Sequence, residues 1–177
     1  MPIGSPITLV FVDLVHSTAL KAALPGSDVT ARNRAYFDTI LTPYRQRVEA
    51  DLAAFGGRVV NTWGDDQFLI VPSAAHAAQW AAAVQICLIA DAITTRLGPL
   101  QVRIGMHTGA PLADAQDAND YIGHEVDYAK RVSALASGGQ ILLSETTAAL
   151  VRDARIAGLA LHRRVSTKVR RDGVTTI

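Results

Sequence analysis

An almost unbroken apolar run near the N-terminus, residues 7–12, ends in a single carboxylate, Asp13. Its β-branched and aromatic side chains favour a strand, and a continuous apolar run favours a strand that is buried on both faces. Asp13 is therefore expected at the carboxyl end of a buried strand. Behind it, Ser17 and Thr18 can begin a helix whose free backbone N–H groups face a phosphate. Asp is also a common turn or cap residue, which is the other interpretation of Asp13.

A second carboxylate stands at the tip of a predicted hairpin. Residues 58–62 and 67–71 have the composition of two strands, and the turn between them contains Asp65. If Asp13 and Asp65 come together, they can hold a pair of divalent cations, as two-metal phosphoryl-transfer sites require. On the hairpin alone, a plain Gly-Asp turn explains Asp65 equally well.

Predicted helices and strands alternate along the chain. This order predicts an α/β (α+β) sandwich in which helices cover an antiparallel or mixed sheet. In order, the elements are a strand over 7–13, a helical stretch from Ser27 or Asp28 to Phe55, the 58–71 hairpin, a helix capped by Ser73 that runs to about Arg96, a strand over 100–107, a helix over 125–136, a strand over 141–143, a short helix begun by Ser144 with Thr147, and a terminal hairpin.

Length and composition favour one domain over residues 1–177. The chain exceeds the usual domain size of about 100 to 150 residues, and its hydrophobic content of 49% is enough for a sizeable core. A formal net charge of +1 argues against nucleic-acid binding driven by bulk charge. Basic residues do cluster near the C-terminus, where a charged hairpin explains them as readily as a phosphate or nucleic-acid patch. They are Arg163, Arg164, Lys168, Arg170 and Arg171.

Cysteine and histidine usage predicts neither a disulfide nor a Cys/His metal centre. The single Cys87 lies in an apolar stretch with helical spacing, so we expect a small core residue. The histidines at 76, 107, 124 and 162 lack metal-ligand spacing. The sequence has no signal-peptide pattern, and no run approaches the roughly 20 apolar residues that span a bilayer. We expect a cytoplasmic protein without a membrane or nucleic-acid partner.

Four segments resemble the catalytic domain of class III nucleotidyl cyclases. FVDLVHST is similar to the family's first metal-binding strand and turn, and GGRVVNTWGDD is similar to its second metal hairpin. VRIGMHTG and DYIGHEVDYAKRVSALASGGQILLSE resemble its base-binding and transition-state segments. Order and spacing agree over roughly residues 7–151. The resemblance implies a ferredoxin-like cyclase core with a mostly antiparallel sheet.

The resemblance also implies roles for individual residues. Asp13 and Asp65 would bind two Mg²⁺ or Mn²⁺ ions, with the carbonyl oxygen of Leu14 as an extra ligand. Asp120 occupies the position that selects adenine, and Arg131 occupies that of the arginine that stabilises the transition state. From the sequence alone, a solvated helix face is the other interpretation of Arg131.

The resemblance also implies which residues contact the phosphates of the substrate. His16, Ser17 and Thr18 correspond to the turn that holds the triphosphate, although the family usually has Gly where this chain has His16. The His16 side chain either crowds the loop or, when protonated, adds a positive contact to phosphate; an exposed loop histidine is the other interpretation. STKVRRDGVTTI resembles the last hairpin of the family, which makes Lys168 a candidate contact for the terminal phosphates.

Two other positions depart from the family pattern. Asn61 takes the purine-selecting position, which is Lys in typical adenylyl cyclases and Glu in guanylyl cyclases. Asn still donates to a ring nitrogen while Asp120 accepts from an exocyclic amine, so ATP is allowed with weaker selectivity. Asp127 replaces the ribose-orienting Asn. At neutral pH its carboxylate accepts hydrogen bonds but does not donate them. Near a triphosphate, repulsion between the like charges costs roughly 1 kcal/mol or more.

In this family the metal aspartates of one subunit face the base-binding residues and arginine of the other. A chain that carries both sets is expected to form a head-to-tail homodimer with two equivalent sites. The leading hypothesis is an adenylyl cyclase that converts ATP to cyclic AMP, either stand-alone or as an excised catalytic domain. Asn61 admits a pyrimidine nucleotide cyclase that forms cyclic CMP or cyclic UMP. Asp127 admits a catalytically weak homologue that serves in nucleotide binding or dimerisation.

Overall fold

The computed structural model describes residues 5–117, 119–164 and 174–177. Its centre is a sheet of seven strands in the order β10-β11-β9-β6-β1-β3-β2, with two small two-stranded hairpins beside it. Lys168 lies outside the described residues. The strands are β1 (Ile7–Leu14), β2 (Arg58–Trp63), β3 (Asp66–Val71), β4 (Thr94–Thr95), β5 (Gly98–Pro99), β6 (Val102–Gly109), β7 (Leu112–Ala113), β8 (Tyr121–Ile122), β9 (Ile141–Ser144), β10 (His162–Arg164) and β11 (Val174–Thr176).

Strand β1 is an interior strand of this sheet, between β3 and β6, and is antiparallel to both. Residues 8–12 are buried, which confirms the strand that the apolar run predicts. Only the β6–β9 pairing is parallel among the described strands, so the sheet is mixed and mostly antiparallel. The predicted fold class is confirmed.

Helices cover both faces of the sheet. Helix α5 packs on one face against a cluster that includes Leu9, Phe11 and Phe68, and the Phe11 and Phe68 rings stack with centroids 4.7 Å apart. The other face holds the larger core, which includes Val10 and Val12. The helices are α1 (Ser17–Ala23), α2 (Val29–Tyr36), α3 (Thr42–Glu49), α4 (Ala74–Ala90), α5 (His124–Ala134) and α6 (Glu145–Asp153).

The predicted long helix ending at Phe55 is divided in the structure. Asp28 caps α2 by accepting a hydrogen bond from the Ala31 N–H at 2.8 Å, as its residue type predicts. A π-helical turn, Phe37–Leu41, then joins α2 to α3 without a break in helical backbone. The last part is a separate 3₁₀ turn, Leu52–Phe55, which ends at Gly56 with φ +74°. The helical spacing of the apolar residues does not register the extra residue of a π turn.

Helix α4 begins after Ser73 as predicted, but its predicted end near Arg96 is wrong. It ends at Ala90 because Ile93 turns back into the core, at 8% exposure, and accepts a backbone hydrogen bond from Leu100. The small β4–β5 hairpin lies between Ile93 and Leu100. The Thr95 hydroxyl closes it by donating to the Gly98 carbonyl at 2.6 Å.

The prediction that Cys87 is a core residue is wrong, because this side chain is exposed. Helix α4 is alanine-rich and apolar on almost all sides, so its sequence does not reveal which face is buried. Its inward face carries Trp80, Val84 and Leu88, and Cys87 lies outside that set. None of the helices within the described residues combines the length and hydropathy needed to span a bilayer.

A chain of buried hydroxyl groups crosses from the sheet to α6. Thr8 and Thr108 share a hydrogen bond of 3.0 Å between neighbouring strands, and Thr108 bonds Thr147 at 3.1 Å. Thr147 in turn lies 3.0 Å from the Ser144 hydroxyl, which caps α6 as predicted. Because every hydroxyl has a partner, the network fixes how β1, β6 and α6 pack.

His107 extends this network to helix α5. Its Nδ1 lies 2.8 Å from the Ser144 hydroxyl, and its Nε2 lies 2.5 Å from a carboxylate oxygen of Glu125. The Tyr128 ring meets the imidazole edge-on with centroids 4.7 Å apart. Glu125 belongs to the first turn of α5, so the network also fixes the start of that helix.

Candidate functional site

Asp13 lies near the end of β1, directly opposite Arg103 of β6 in the antiparallel register. The two side chains form an ion pair in which the Arg103 Nε donates to Asp13 at 2.8 Å and its Nη2 donates to the same oxygen. The Asp13 side chain is only 14% exposed. A cross-strand arginine therefore already binds the carboxylate that the sequence proposes as a metal ligand.

The second carboxylate stands at the tip of the β2–β3 hairpin. Trp63 pairs with Asp66, so Gly64 and Asp65 form a two-residue turn, with Gly64 at φ +64° as such a turn requires. Two side chains of α3 bind this turn through its backbone. The Tyr44 hydroxyl donates to the Asp65 carbonyl at 3.1 Å, and Arg45 donates to the Gly64 carbonyl at 2.6 Å. These contacts leave the Asp65 carboxylate available.

Asp66 has a partner of its own. Lys130 of α5 donates to its carboxylate at 2.8 Å, and the same ammonium lies 5.4 Å from the Phe11 ring centroid and 5.6 Å from that of Trp63. Cation–π contacts at these distances help to hold an ammonium in place. Lys130 thus joins the hairpin to α5.

The Arg103 ion pair does not fully offset the effects of burial and of nearby carboxylates on the Asp13 carboxyl. Burial raises the pKa of the Asp13 carboxyl above its usual value of 3.8, the Arg103 hydrogen bond opposes this, and the charges of Asp66 and Asp65 raise it further. Three carboxylates within electrostatic range of one another disfavour ionisation of the buried one. A divalent cation at Asp13 would remove this repulsion.

The donors present fit Mg²⁺ or Mn²⁺. They are carboxylate oxygens, the ligands that hard divalent cations prefer. Within residues 5–117, 119–164 and 174–177, no group of three or more His, Cys, Asp or Glu side chains has the geometry to hold a metal ion. Mg²⁺ is commonly held by one or two carboxylates with substrate phosphates completing its shell, and a site built on Asp13 and Asp65 matches that pattern.

Asn61 and Asp120 come together although they are distant in sequence. The Asn61 Nδ2 donates to the Asp120 Oδ2 at 3.4 Å. Backbone N–H groups hold the remaining polar atom of each side chain: the Thr62 N–H donates to the Asn61 Oδ1 at 2.8 Å, and the Tyr121 N–H donates to the Asp120 Oδ1 at 2.7 Å. The pair therefore presents an amide donor beside a carboxylate acceptor.

Helix α5 carries two further candidates, Asp127 in its first turn and Arg131 in its last. Both residues are exposed. In the part of the chain that the structure describes, Arg131 forms no ion pair with Asp13, Asp65 or Asp66. Within the described residues of one chain, Arg131 is therefore not paired with any of these three carboxylates.

The turn after β1 has the backbone conformation expected at a position where the family usually has glycine. His16 has φ +61°, in the left-handed region where glycine is favoured, and it is the residue before α1. The His16 side chain is exposed and makes no capping hydrogen bond. Ser17 and Thr18 are the first two residues of α1, which confirms that a helix begins there.

Comparison with known proteins identifies the family. Residues 3–176 match the adenylate and guanylate cyclase catalytic domain. The chain belongs to this family.

Relatives and solved structures of the cyclase family agree with this assignment. The cyclase domain is 32% identical over 165 residues to the adenylate cyclase of Lachancea kluyveri, an alignment that covers 81% of this chain and 8% of the relative. It spans less than a tenth of the length of the four fungal relatives that it matches.

Two solved structures resemble the fold of the cyclase domain. One is a dimeric guanylyl cyclase domain of the RhoGC fusion protein from Blastocladiella emersonii, with a TM-score of 0.80 and 20% identity over 98% of this chain and 96% of that chain. The other is the catalytic core of a rhodopsin-guanylyl cyclase with converted specificity in complex with ATPαS, with a TM-score of 0.77 and 19% identity over 98% and 94%.

The sequence did not single out Arg103, Lys130 or Tyr44 as site residues of the cyclase domain. The signal for Arg103 is a charged residue inside the apolar strand VRIGMHTG, but only the β1–β6 register places it opposite Asp13. Tyr44 has the spacing of a core residue, and its hydroxyl contact with the hairpin turn depends on the tertiary fold. Lys130 stands beside Arg131 as a second exposed basic residue of α5, and this gives no signal of its contact with Asp66.

Proposed function

We propose that this domain is a metal-dependent adenylyl cyclase that converts ATP to cyclic AMP and pyrophosphate. The observation that carries the choice of substrate is the contact of 3.4 Å between Asn61 and Asp120. Adenine offers a ring nitrogen that accepts a hydrogen bond beside an amine that donates one, and the pair offers the complementary donor and acceptor. Family membership supplies the reaction class.

In the proposed reaction the 3′-hydroxyl oxygen of ATP bonds to its own α-phosphorus while the bond to the pyrophosphate oxygen breaks. The hydroxyl loses its proton, and pyrophosphate leaves with the bonding electron pair. Members of the family generally use divalent metal ions, which lower the pKa of such a hydroxyl and neutralise the triphosphate when bound. Asp13, Asp65 and the carbonyl oxygen of Leu14 would hold two Mg²⁺ or Mn²⁺ ions.

We assign the remaining contacts to the other residues that the sequence singled out. Arg131 would stabilise charge on the α-phosphate, since its planar guanidinium is always charged and binds phosphate oxygens in pairs. His16, Ser17 and Thr18 would hold the triphosphate at the start of α1. Asp127 would face the ribose. Lys168 is kept as a candidate contact for the terminal phosphates.

The proposed site is shared between two copies of the chain. Arg131 is exposed and, among the described residues, forms no ion pair with Asp13 or Asp65 of its own chain, whereas the proposed reaction needs all three at one phosphate. A head-to-tail dimer would bring Arg131, Asn61 and Asp120 of one subunit to the metal aspartates of the other. The dimeric form of the Blastocladiella guanylyl cyclase domain supports this arrangement as a proposal.

A second candidate substrate is CTP. Cytosine carries the same pattern as adenine, a ring nitrogen acceptor beside an amine donor, so the Asn61–Asp120 pair also accepts it. Uracil and guanine present the reverse pattern at these positions. Among the pyrimidine products, the Asn61–Asp120 pair therefore favours cyclic CMP over cyclic UMP. A catalytically weak protein that binds nucleotide or dimerises is the third candidate, and Asp127 is the observation that favours it.

A panel of nucleotides tests these candidates. The purified protein is incubated with Mn²⁺ and each of ATP, CTP, GTP and UTP, and the cyclic product is measured. We expect cyclic AMP as the main product, cyclic CMP as the second, and little product from GTP or UTP. Predominant cyclic GMP or cyclic UMP would contradict the assigned roles of Asn61 and Asp120. Binding without any cyclic product would favour the third candidate.

A further inference from the structure

The hydroxyl group of Tyr36 is buried without a hydrogen-bond partner. Tyr36 is the last residue of α2 and is 3% exposed, and among the described residues its hydroxyl forms no hydrogen bond. A buried hydroxyl without a partner costs free energy, and buried polar groups of folded proteins are rarely left in this state. The ring alone would fill this position, so the hydroxyl needs a separate explanation.

The position of Tyr36 relates this hydroxyl to the metal carboxylates. Tyr36 and Tyr44 are buried residues on either side of the π turn Phe37–Leu41, and such turns are frequent at functional sites. The Tyr44 hydroxyl binds backbone carbonyls next to both carboxylates, 3.1 Å from the Asp65 oxygen and 3.4 Å from that of Val12. Both tyrosines belong to the large core cluster that also contains Val12, the residue before Asp13.

The charges of both aspartates act on the pKa of the Tyr36 hydroxyl. Burial raises its pKa above the usual value of 10, and the charges of Asp65 and Asp13 raise it further, while Arg45 opposes them. The Lys21 ammonium lies 4.6 Å from the centroid of the Tyr36 ring. That contact uses the face of the ring, which a phenylalanine would also supply, and it leaves the hydroxyl unexplained.

We propose that Tyr36 is a positioning residue of the cation site, whose hydroxyl donates a hydrogen bond to the Asp65 carboxylate when a divalent cation is bound. The inference rests on the metal role proposed for Asp13 and Asp65. Asp13 and Asp65 would hold the cation, and the Asp65 carboxylate would then supply the acceptor that the Tyr36 hydroxyl lacks among the described residues. Hydrogen bonds to ligating carboxylates orient them and strengthen metal binding.

The test compares Tyr36→Phe with the wild-type protein in two measurements. Titration with Mn²⁺ alone, followed by calorimetry or by the electron paramagnetic resonance of free Mn²⁺, gives the metal affinity. We expect Tyr36→Phe to weaken it by about tenfold to a hundredfold. The melting temperature of the metal-free protein is expected to stay the same or rise, because the substitution removes an unpaired buried hydroxyl.

Tyr44→Phe is the matched control. Its hydroxyl has backbone partners in the structure, so its loss is expected to lower the melting temperature even without added metal. If Tyr36→Phe lowers the metal-free melting temperature and leaves Mn²⁺ affinity unchanged, Tyr36 has a purely structural role and the proposal is wrong.

Asp65→Asn separates this inference from the proposed function. Loss of Mn²⁺ binding in Asp65→Asn together with wild-type affinity in Tyr36→Phe would overturn the role of Tyr36 alone. Mn²⁺ affinity that Asp65→Asn leaves unchanged would overturn the metal site itself, and the role of Tyr36 with it.

Discussion

Lys130 and Asp66 join helix α5 to the β2–β3 hairpin through an ion pair of 2.8 Å. Both side chains are partly exposed, so the pair adds little to stability, about 0 to 1 kcal/mol. Its effect is geometric, because Asp66 follows Asp65 and Lys130 precedes Arg131. The contact fixes the two segments that carry the proposed metal ligand and the proposed phosphate ligand of each chain.

The first prediction compares the two neighbouring hairpin carboxylates. Asp65→Asn is expected to lower kcat by about a hundredfold or more, because it removes charge that would hold a cation against the reacting phosphate. Asp66→Asn has the same size and the same charge change, but it removes the ion pair with Lys130 and not a proposed metal ligand, so it should stay within about tenfold of wild type. Steady-state kinetics with Mn²⁺ measures both, and Asp13→Asn should behave as Asp65→Asn does. Equal losses in the two hairpin variants would contradict the assignment of Asp65.

The second prediction concerns the shared site. Asp65→Ala and Arg131→Ala are each expected to be inactive alone, and a mixture of the two should regain activity. A mixed dimer contains one site with both wild-type residues, which predicts up to about half of the wild-type rate per dimer. Subunit exchange is verified with two affinity tags. No recovery in a verified mixed dimer would exclude a site that spans the subunits.

The third prediction tests base selection. Asn61→Lys should raise the preference for ATP over CTP and GTP by about tenfold, since a charged donor gives a stronger hydrogen bond to the base and to Asp120 than the amide does. The ratio of kcat/KM values for the three nucleotides measures this preference. Asn61→Ala serves as the control and should lower activity with ATP without improving the ratio. An unchanged ratio in Asn61→Lys would show that Asn61 does not contact the base.

The fourth prediction concerns Asp127. Asp127→Asn should raise turnover by about tenfold to a hundredfold, because it supplies a hydrogen-bond donor to the ribose and removes a charge that repels the triphosphate. A small loss in melting temperature is expected as well, because a carboxylate in the first turn of α5 stabilises the helix dipole. Loss of a measurable wild-type activity in this variant would show that the carboxylate has a role of its own.

The fifth prediction follows from the raised pKa of Asp13. Its folded-state pKa lies above the unfolded value of 3.8, so the folded protein binds the extra proton in the interval above pH 3.8. The contribution of Asp13 to stability therefore falls as pH rises through that interval, and Mn²⁺ competes with the same proton. Mn²⁺ affinity should weaken on acidification from a higher pH than an ordinary aspartate would give.

Arg103→Gln provides the control for this pH dependence. The Arg103 hydrogen bond lowers the Asp13 pKa, so its removal should move the midpoint of the Mn²⁺ affinity profile to higher pH. Titrations over a series of pH values give both midpoints. A midpoint that moves to lower pH in the variant would contradict the described ion pair.

The sequence predicted the strands and the hairpin with near-correct bounds because their signals are local. The apolar run before Asp13 and the Gly-Asp turn at Asp65 each carry their structure within a few residues. The helix ends were less predictable. The π turn after Tyr36 and the end of α4 at Ala90 depend on packing that the spacing of apolar residues does not encode.

The candidate site also has features that the sequence predicts and contacts that only the tertiary structure reveals. The resemblance assigned both Asn61 and Asp120 to recognition of the base, and the structure brings the two side chains into contact. The partners of the carboxylates were not predicted, because the register of β1 with β6 places Arg103 at Asp13 and the packing of α5 places Lys130 at Asp66. Such pairings join residues from distant parts of the chain, which no local pattern reveals.

The interior position of β1, between β3 and β6, also affects how the chain folds. Phe11 pairs with Phe68 on one side and with Gly105 on the other, so β1 waits for two partner strands that are synthesised after it. Sheets with such distant pairings fold slowly, and an apolar strand without partners is prone to aggregate. Slow synthesis at low temperature, or coexpression with chaperones, should therefore raise the yield of native protein.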